Sequence, residues 1–128
     1  MSLSSYTFAQ PHRFSAEQKT FLMNSQDKEK AHEFQEKVKI KIDKHRTQMR
    51  ARKEVLEREK EELKAEIRNA KAINNGKLSP EQRSDFKSKI EVIENKSLEL
   101  RKEHYKFISQ IDKEREEFFS SIKNKKLN

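Results

Sequence analysis

The segment from residue 25 to residue 75 has the polar and apolar pattern of one long helix. It contains no proline or glycine and is rich in Glu, Lys, Arg and Ala, which are strong helix formers. One apolar row recurs every seven residues, at Ile42, Met49, Leu56, Leu63 and Ala70. The row beside it is mostly polar and comprises Val38, His45, Arg52, Glu59, Glu66 and Ile73. Because this stripe is thin, we expect the helix to pack against a second element.

The segment from residue 80 to residue 123 carries a more continuous apolar row. Steps of four and three residues from Phe86 give Ile90, Ile93, Ser97, Leu100, His104, Phe107, Ile111, Glu114 and Phe118. Seven of these ten positions are apolar. A spacing of this kind is typical of a helix in a coiled coil.

A single turn is indicated between the two segments, at residues 76–79. Asn74, Asn75 and Gly76 form a helix stop in which glycine adopts the left-handed conformation without steric cost. Ser79, with Pro80 after it and Gln82 three positions on, forms a helix start. Helices joined by a short connection pack antiparallel, so residues whose numbers add to about 154 should lie opposite each other. This register predicts that Leu56 faces Leu98 and that Met49 faces Tyr105.

The predicted fold is therefore all-α, an antiparallel helical hairpin or coiled coil with an extended N-terminal arm. The arm covers residues 1–24, has few charges and carries Tyr6, Phe8 and Phe14. A capping pattern at residues 15–18 predicts a short helix within it. Residues 124–128 form a short basic tail.

A second apolar stripe lies on the side of the second helix away from its main row. Arg101, Asp112 and Arg115 interrupt this stripe. Its members are Leu98, Tyr105, Ile108, Phe119 and Ile122. Since a two-helix hairpin covers only one face of each helix, we expect these residues and the arm aromatics to contact a partner protein. The alternative is that the aliphatic stems of neighbouring Lys and Arg shield them.

Composition excludes several classes of protein. Apolar residues make up 31% of the chain and charged residues 41%, so a thick globular core is not expected. One glycine and two prolines are too few for the turns of a sheet protein or for glycine-rich phosphate loops. Without cysteine there is no disulfide or thiolate zinc site, which fits an intracellular location. No apolar run approaches the roughly 20 residues of a membrane span.

No catalytic, cofactor or metal site is predicted. The four histidines show no metal-binding spacing, although His45 and His104 fall in the seam rows and can approach each other. A polar residue in such a seam more often fixes the register of the helices. The adjacent carboxylates at residues 61–62 and 116–117 diverge on a helix, whereas catalytic pairs must converge.

Basic residues are concentrated between residues 37 and 53. Only Asp43 opposes them, and the chain as a whole carries a net charge of +8. The cluster comprises Lys37, Lys39, Lys41, Lys44, Arg46, Arg50, Arg52 and Lys53. Such a cluster favours an acidic protein surface or the phosphates of a nucleic acid, with a merely solvated helix as the alternative. It contains no aromatic residue, which argues against base-specific recognition of RNA.

These features favour a non-catalytic structural subunit that docks onto a large protein assembly with acidic surfaces. In general pattern the chain resembles small coiled-coil subunits of cytoskeletal or ciliary assemblies, which combine a helical hairpin with an aromatic-bearing tail. That resemblance implies a microtubule or ciliary axoneme as the assembly and the cytoplasm or cytoskeleton as the location. The alternative is a basic helical factor that binds RNA or the ribosome through phosphate contacts of residues 37–53.

Overall fold

The protein consists of two long helices in a computed structural model that describes residues 25–127. Helix α1 spans Ser25–Ile73 and helix α2 spans Pro80–Leu127. The two helices pack against each other in antiparallel directions, and the described residues include no strand. The predicted all-α hairpin is thus confirmed. Helix α2 continues past residue 123, so that most of the predicted basic tail is helical. The predicted arm, residues 1–24, lies outside the described residues.

The end of α1 is formed by two residues with left-handed backbone conformation. Asn75 has a φ of 53° and Gly76 a φ of 81°. The Gly76 N–H donates a hydrogen bond of 2.7 Å to the carbonyl of Lys71. Because an L side chain is strained at such a φ whereas glycine is not, Gly76 stops the helix where the sequence indicates.

The start of α2 is a reciprocal capping box. The Gln82 N–H donates to the Ser79 hydroxyl at 3.1 Å, and the Ser79 N–H donates to the Gln82 side-chain carbonyl at 3.0 Å. Pro80 occupies the first helical position, where its missing N–H costs nothing. The predicted helix start is confirmed, and two backbone donors at this terminus are satisfied.

The hairpin divides into two compact units, and both helices contribute to each of them. The turn unit comprises Gln48–Lys102. Its core contains the buried residues Leu63, Phe86 and Ile93. The partly buried residues packed against them are Leu56, Ile67, Ala70, Leu78 and Ile90. Two ion pairs join the helices within this unit, Lys96 with Glu59 at 3.1 Å and Lys89 with Glu66 at 3.3 Å.

The terminal unit comprises residues 25–47 and 103–127 among those described. Ala31 and Ile122 are buried at its core, and the Phe34 and Phe118 rings stack beside them with centroids 4.4 Å apart. The Lys41 ammonium lies 3.0 Å from the Glu114 carboxylate. The residue numbers of this pair add to 155, as do those of both ion pairs of the turn unit, close to the predicted 154.

The predicted pairing of individual residues is wrong although the register is right. Leu98 is 46% exposed and Tyr105 is 52% exposed, so neither packs in the seam opposite Leu56 or Met49. The register fixes which residues lie at the same height along the helices. Which face points inward depends on angular position, and at these heights the inward residues of α2 are Leu100 and His104, which are 1% and 5% exposed.

The buried row follows the period of an ordinary α-helix. In α2, the 36 residues from Phe86 to Ile122 are covered in ten steps between buried or half-buried side chains, which is 3.6 residues per step. A strict seven-residue repeat drifts by about 20° per heptad from this period, or roughly one residue over five heptads. The repeat would therefore bring Ser121 inward, but Ser121 is exposed and Ile122 is buried.

The same drift between the seven-residue repeat and the helix period also affects α1, in the row that begins with Val38 and His45. Val38 is buried and His45 half-buried as predicted, but the later members Arg52, Glu66 and Ile73 are exposed. The inward positions beyond Met49 are instead Lys53, Lys60 and Ile67. The C-terminal half of this mostly polar row therefore lies largely outside the seam, although Glu59 is half-buried.

The capping box predicts the effect of one substitution in the turn. Ser79→Ala removes the acceptor for the Gln82 N–H, and we expect a loss of about 1 kcal/mol in the free energy of unfolding. Urea unfolding followed by circular dichroism measures this loss. Ser84→Ala, at an exposed position in the following turn of the helix, is the control and should be neutral or slightly stabilising. Equal stabilities of the two variants would contradict the capping role.

Candidate functional site

The predicted outer stripe of α2 includes two residues that are clearly exposed. Leu98 of the turn unit is 46% exposed, and Tyr105 of the terminal unit is 52% exposed. Ile108, three residues beyond Tyr105, is half-buried. Residues three apart on a helix are neighbours on one face, so Tyr105 and Ile108 form a small apolar patch on the terminal unit.

The last two members of the predicted stripe belong to the interior of the terminal unit. Ile122 is 5% exposed and forms the buried core with Ala31, and Phe119 packs against that core. Their assignment to the outer face is therefore wrong. The physical reason is the accumulated drift between the seven-residue repeat and the helix period, which turns Ile122 inward by about one residue position. Tyr6, Phe8 and Phe14 of the predicted surface lie outside the described residues.

The basic residues of the terminal unit project from α1 in two directions. The five members of the predicted basic cluster in this unit, Lys37, Lys39, Lys41, Lys44 and Arg46, are exposed. At helical spacing, residues 37, 41 and 44 share one side, and residues 39 and 46 share another. Lys41 is already paired with both carboxylate oxygens of Glu114, at 3.0 and 3.1 Å. The positive charge is therefore spread around the helix, with part of it neutralised within the hairpin.

The three members of the predicted basic cluster in the turn unit differ in exposure and lie near acidic residues. Arg50 and Arg52 are exposed, whereas Lys53 occupies an inward position and is half-buried. Arg50 and Lys53 line a shallow surface pocket together with Glu54, Glu57 and Arg58. Carboxylates alternate with the bases there, so the pocket lacks the concentrated positive charge that a phosphate site needs.

Ion pairing also shifts the pKa of Lys89, a residue that lies outside the predicted binding surfaces. The hydrogen bond from Lys89 to Glu66 raises the pKa of the Lys89 ammonium, and the contact with Asp85 at 3.4 Å adds to the effect. Since Lys89 is charged at neutral pH in either case, these contacts link the helices and create no proton-transfer group.

Two polar residues of the seam are almost completely buried. Lys60 is 8% exposed, and its ammonium lies 4.0 Å from the Glu57 carboxylate. His104 is 5% exposed, and its Nδ1 lies 2.9 Å from Nε2 of His45. The approach of the two histidines agrees with their places in the seam rows. The burial of Lys60 was not predicted. Only the 3.6-residue period of α1 indicates that Lys60 faces the other helix.

Between residues 25 and 127, no group of three or more His, Cys, Asp or Glu side chains is placed to hold a metal ion. Neither helix in this range contains a stretch apolar enough to cross a membrane.

Comparison with known proteins gives no match. No protein-family model matches the chain. No curated protein and no solved structure is significantly similar to it.

The burial of Ile122 and the exposure of Tyr105 allow a direct test of the two faces of α2. Ile122→Ala removes buried methyl groups, and we expect it to lower the free energy of unfolding by about 2 kcal/mol or more. Tyr105→Ala changes an exposed position and should alter it by about 0.5 kcal/mol or less. Urea unfolding of both variants measures the difference. Similar losses would mean that Tyr105 contributes to the core.

Proposed function

We propose that the protein is a non-catalytic structural subunit that docks onto a larger protein assembly through the outer face of the hairpin. The observation that carries this proposal is the exposure of Tyr105. Its ring is 52% exposed, although its neighbours His104 and Phe107 are buried and half-buried in the seam. An aromatic ring held at a fixed position on a rigid helix is the kind of residue that anchors protein interfaces.

The setting of Tyr105 supports a docking role. Ile108 extends the apolar patch by one helical turn, and both residues stand on an α2 segment that is fixed by the seam residue Ile111, which is 1% exposed. Little conformational freedom of the backbone is then lost on binding, which favours affinity. Leu98 offers a second exposed apolar contact on the turn unit.

The charge of the terminal unit indicates the nature of the partner. Lys37, Lys39 and Lys44 of α1 in the same unit are exposed, and exposed charges of one sign accelerate association with a surface of the opposite sign. We therefore propose an acidic protein surface. A cytoskeletal polymer of the microtubule or axoneme type is preferred, because a repeating acidic surface provides both charge and length for a long helical hairpin. The corresponding location is the cytoplasm or cytoskeleton, including the cilium.

A second candidate function is binding to RNA or the ribosome through phosphates. The same exposed lysines favour it, since phosphate contacts require basic side chains without a particular geometry. The mixed charges beside Arg50 and the pairing of Lys41 with Glu114 speak against a continuous phosphate track. We therefore rank it below the protein assembly.

Removal of the aromatic anchor should weaken docking without unfolding the hairpin. We expect Tyr105→Ala to reduce affinity for polymerised tubulin by about thirtyfold, which corresponds to the roughly 2 kcal/mol of an interface hot spot. Co-sedimentation with the polymer measures the change, and circular dichroism checks that helicity is retained. A matched control is Val92→Ala, which truncates a residue of equal exposure on the turn unit. Absence of wild-type binding would contradict the microtubule assignment.

Charge reversal separates the two candidate partners. We expect replacement of Lys37, Lys39 and Lys44 by Glu to weaken co-sedimentation by about tenfold at low salt, with a smaller effect at high salt because exposed charges are screened. The control reverses Lys77, Lys87 and Lys113, which are also exposed and change the net charge equally. Affinity capture from a lysate is then performed with and without nuclease. Loss of all captured proteins after nuclease treatment would favour the RNA candidate.

A further inference from the structure

The turn between α1 and α2 contains an asparagine that is followed directly by glycine, at Asn75 and Gly76. Gly76 is the only glycine of the chain, so no other asparagine has this neighbour. Asn74, Asn75 and Gly76 are all exposed. Apart from the chain neighbours of Gly76, no atom of the described residues lies within 4 Å of the place that a Cβ at this position would occupy. No side chain therefore covers this side of the backbone at Gly76.

The side-chain amide of an asparagine can be attacked by the backbone nitrogen of the next residue. Here the Gly76 nitrogen would lose its proton to a base in solution and form a bond to Cγ of Asn75. The bond between Cγ and Nδ2 then breaks, and the nitrogen leaves as ammonia after it takes up a proton from water. A glycine in the second position favours this step, because it has no Cβ to obstruct the approach and its backbone rotates freely.

The succinimide ring that results is opened by water at either of its two carbonyl groups. Opening at the side-chain carbonyl gives an aspartate. Opening at the main-chain carbonyl gives an isoaspartate, in which the backbone runs through the former side chain. In both cases the net change is the exchange of ammonia for water, so neither an oxidant nor a reductant is required.

The helix stop of α1 keeps the attacking nitrogen in a hydrogen bond. The Gly76 N–H donates to the carbonyl of Lys71 at 2.7 Å, and the Lys77 N–H donates to the carbonyl of Asn74 at 3.1 Å. A backbone N–H that is engaged in this way exchanges its proton with solvent only when the local structure opens. The folded turn therefore slows the first step of the reaction.

Packing of the connection determines how often the stop opens. Leu78 lies two residues beyond Gly76 and packs against the core of the turn unit, which contains Leu63, Phe86 and Ile93. Leu78 is half-buried, although the residues of the turn before it are exposed. Its contact with the core holds the exposed turn in place, so loss of this contact should favour local opening.

We propose that Asn75 is a site of spontaneous deamidation whose rate is set by opening of the helix stop at Gly76. An isoaspartate product adds one carbon atom to the backbone before Gly76, which displaces its N–H from the carbonyl of Lys71. An aspartate product places a negative charge at the carboxyl end of α1, where the helix dipole disfavours it. Either product weakens the stop, so the reaction modifies the turn irreversibly.

Mass spectrometry of the full-length chain tests this inference. The protein is incubated at pH 8.0 and 37 °C, either folded in buffer or unfolded in guanidinium chloride. Proteolytic peptides are followed by the mass difference between Asn and Asp, and fragmentation assigns the modified residue. In the unfolded chain, we expect Asn75 to convert well before Asn74 and Asn95, which are followed by residues with side chains. In the folded chain, conversion of Asn75 should be about tenfold slower, because the stop must open first.

Three outcomes would overturn the proposal. The first is conversion of Asn75 no faster than that of Asn74 and Asn95 in the unfolded chain. The second is an equal rate at Asn75 in the folded and unfolded chains. The third is the absence of conversion in the folded chain over a period many times longer than the unfolded chain requires.

Two variants test whether local opening of the turn sets the rate. Leu78→Ala removes a contact with the turn-unit core and leaves Asn75 and Gly76 unchanged. We expect it to accelerate deamidation of the folded chain by about fivefold or more, with no change in the unfolded chain. Ile122→Ala removes a core contact of the terminal unit and should change the folded-state rate by about twofold or less.

Equal acceleration by both variants, or no acceleration by Leu78→Ala, would contradict local opening as the controlling step. If Leu78→Ala does not fold, the comparison of the folded and unfolded wild-type chains still decides whether the helix stop controls the reaction.

Discussion

The burial of a narrow apolar row on each helix is the interaction on which the rest of the structure depends. With 31% apolar residues the chain cannot surround a core with several layers, and the seam holds almost all the deeply buried side chains among the described residues. Leu100 and Ile111 of α2, each 1% exposed, are its most deeply buried large side chains, one in each unit. Because neither helix covers its own row, the helices form a stable fold only as a pair.

A seam this narrow must also accommodate polar residues, and each of them requires a partner. The Lys60 ammonium is near Glu57, and His104 is hydrogen-bonded to His45. Burial of a polar group without such a partner costs free energy, so the contact between His45 and His104, which joins the two helices, favours the observed register. Lys60 and Glu57 lie on the same helix, so their contact does not depend on the register. The outward-facing ion pairs contribute less because solvent screens them.

The function proposed for the protein depends on the side chains that stay exposed after the two helices have paired. Once one face of α2 is used for pairing, Tyr105 remains on the surface, and α1 of the terminal unit carries the exposed side chains of Lys37, Lys39 and Lys44. An exposed apolar anchor together with exposed basic residues suits an acidic protein surface. Docking of this kind requires no catalytic group.

The sequence by itself determined the two helices, the turn between them and the antiparallel register. These features depend on local chemistry, namely the positive φ at Gly76, the cap formed by Ser79 with Gln82, and the short connection. Only the tertiary structure decided which face of each helix is buried over its whole length. The seven-residue and 3.6-residue patterns coincide near the start of a helix and differ by about one position after ten turns, so Ile122 and Phe119 moved to the core and Ile73 to the surface. The burial of Lys60 was decided in the same way, because a charged side chain is placed inside only when the apolar residues around it leave no other face to turn inward.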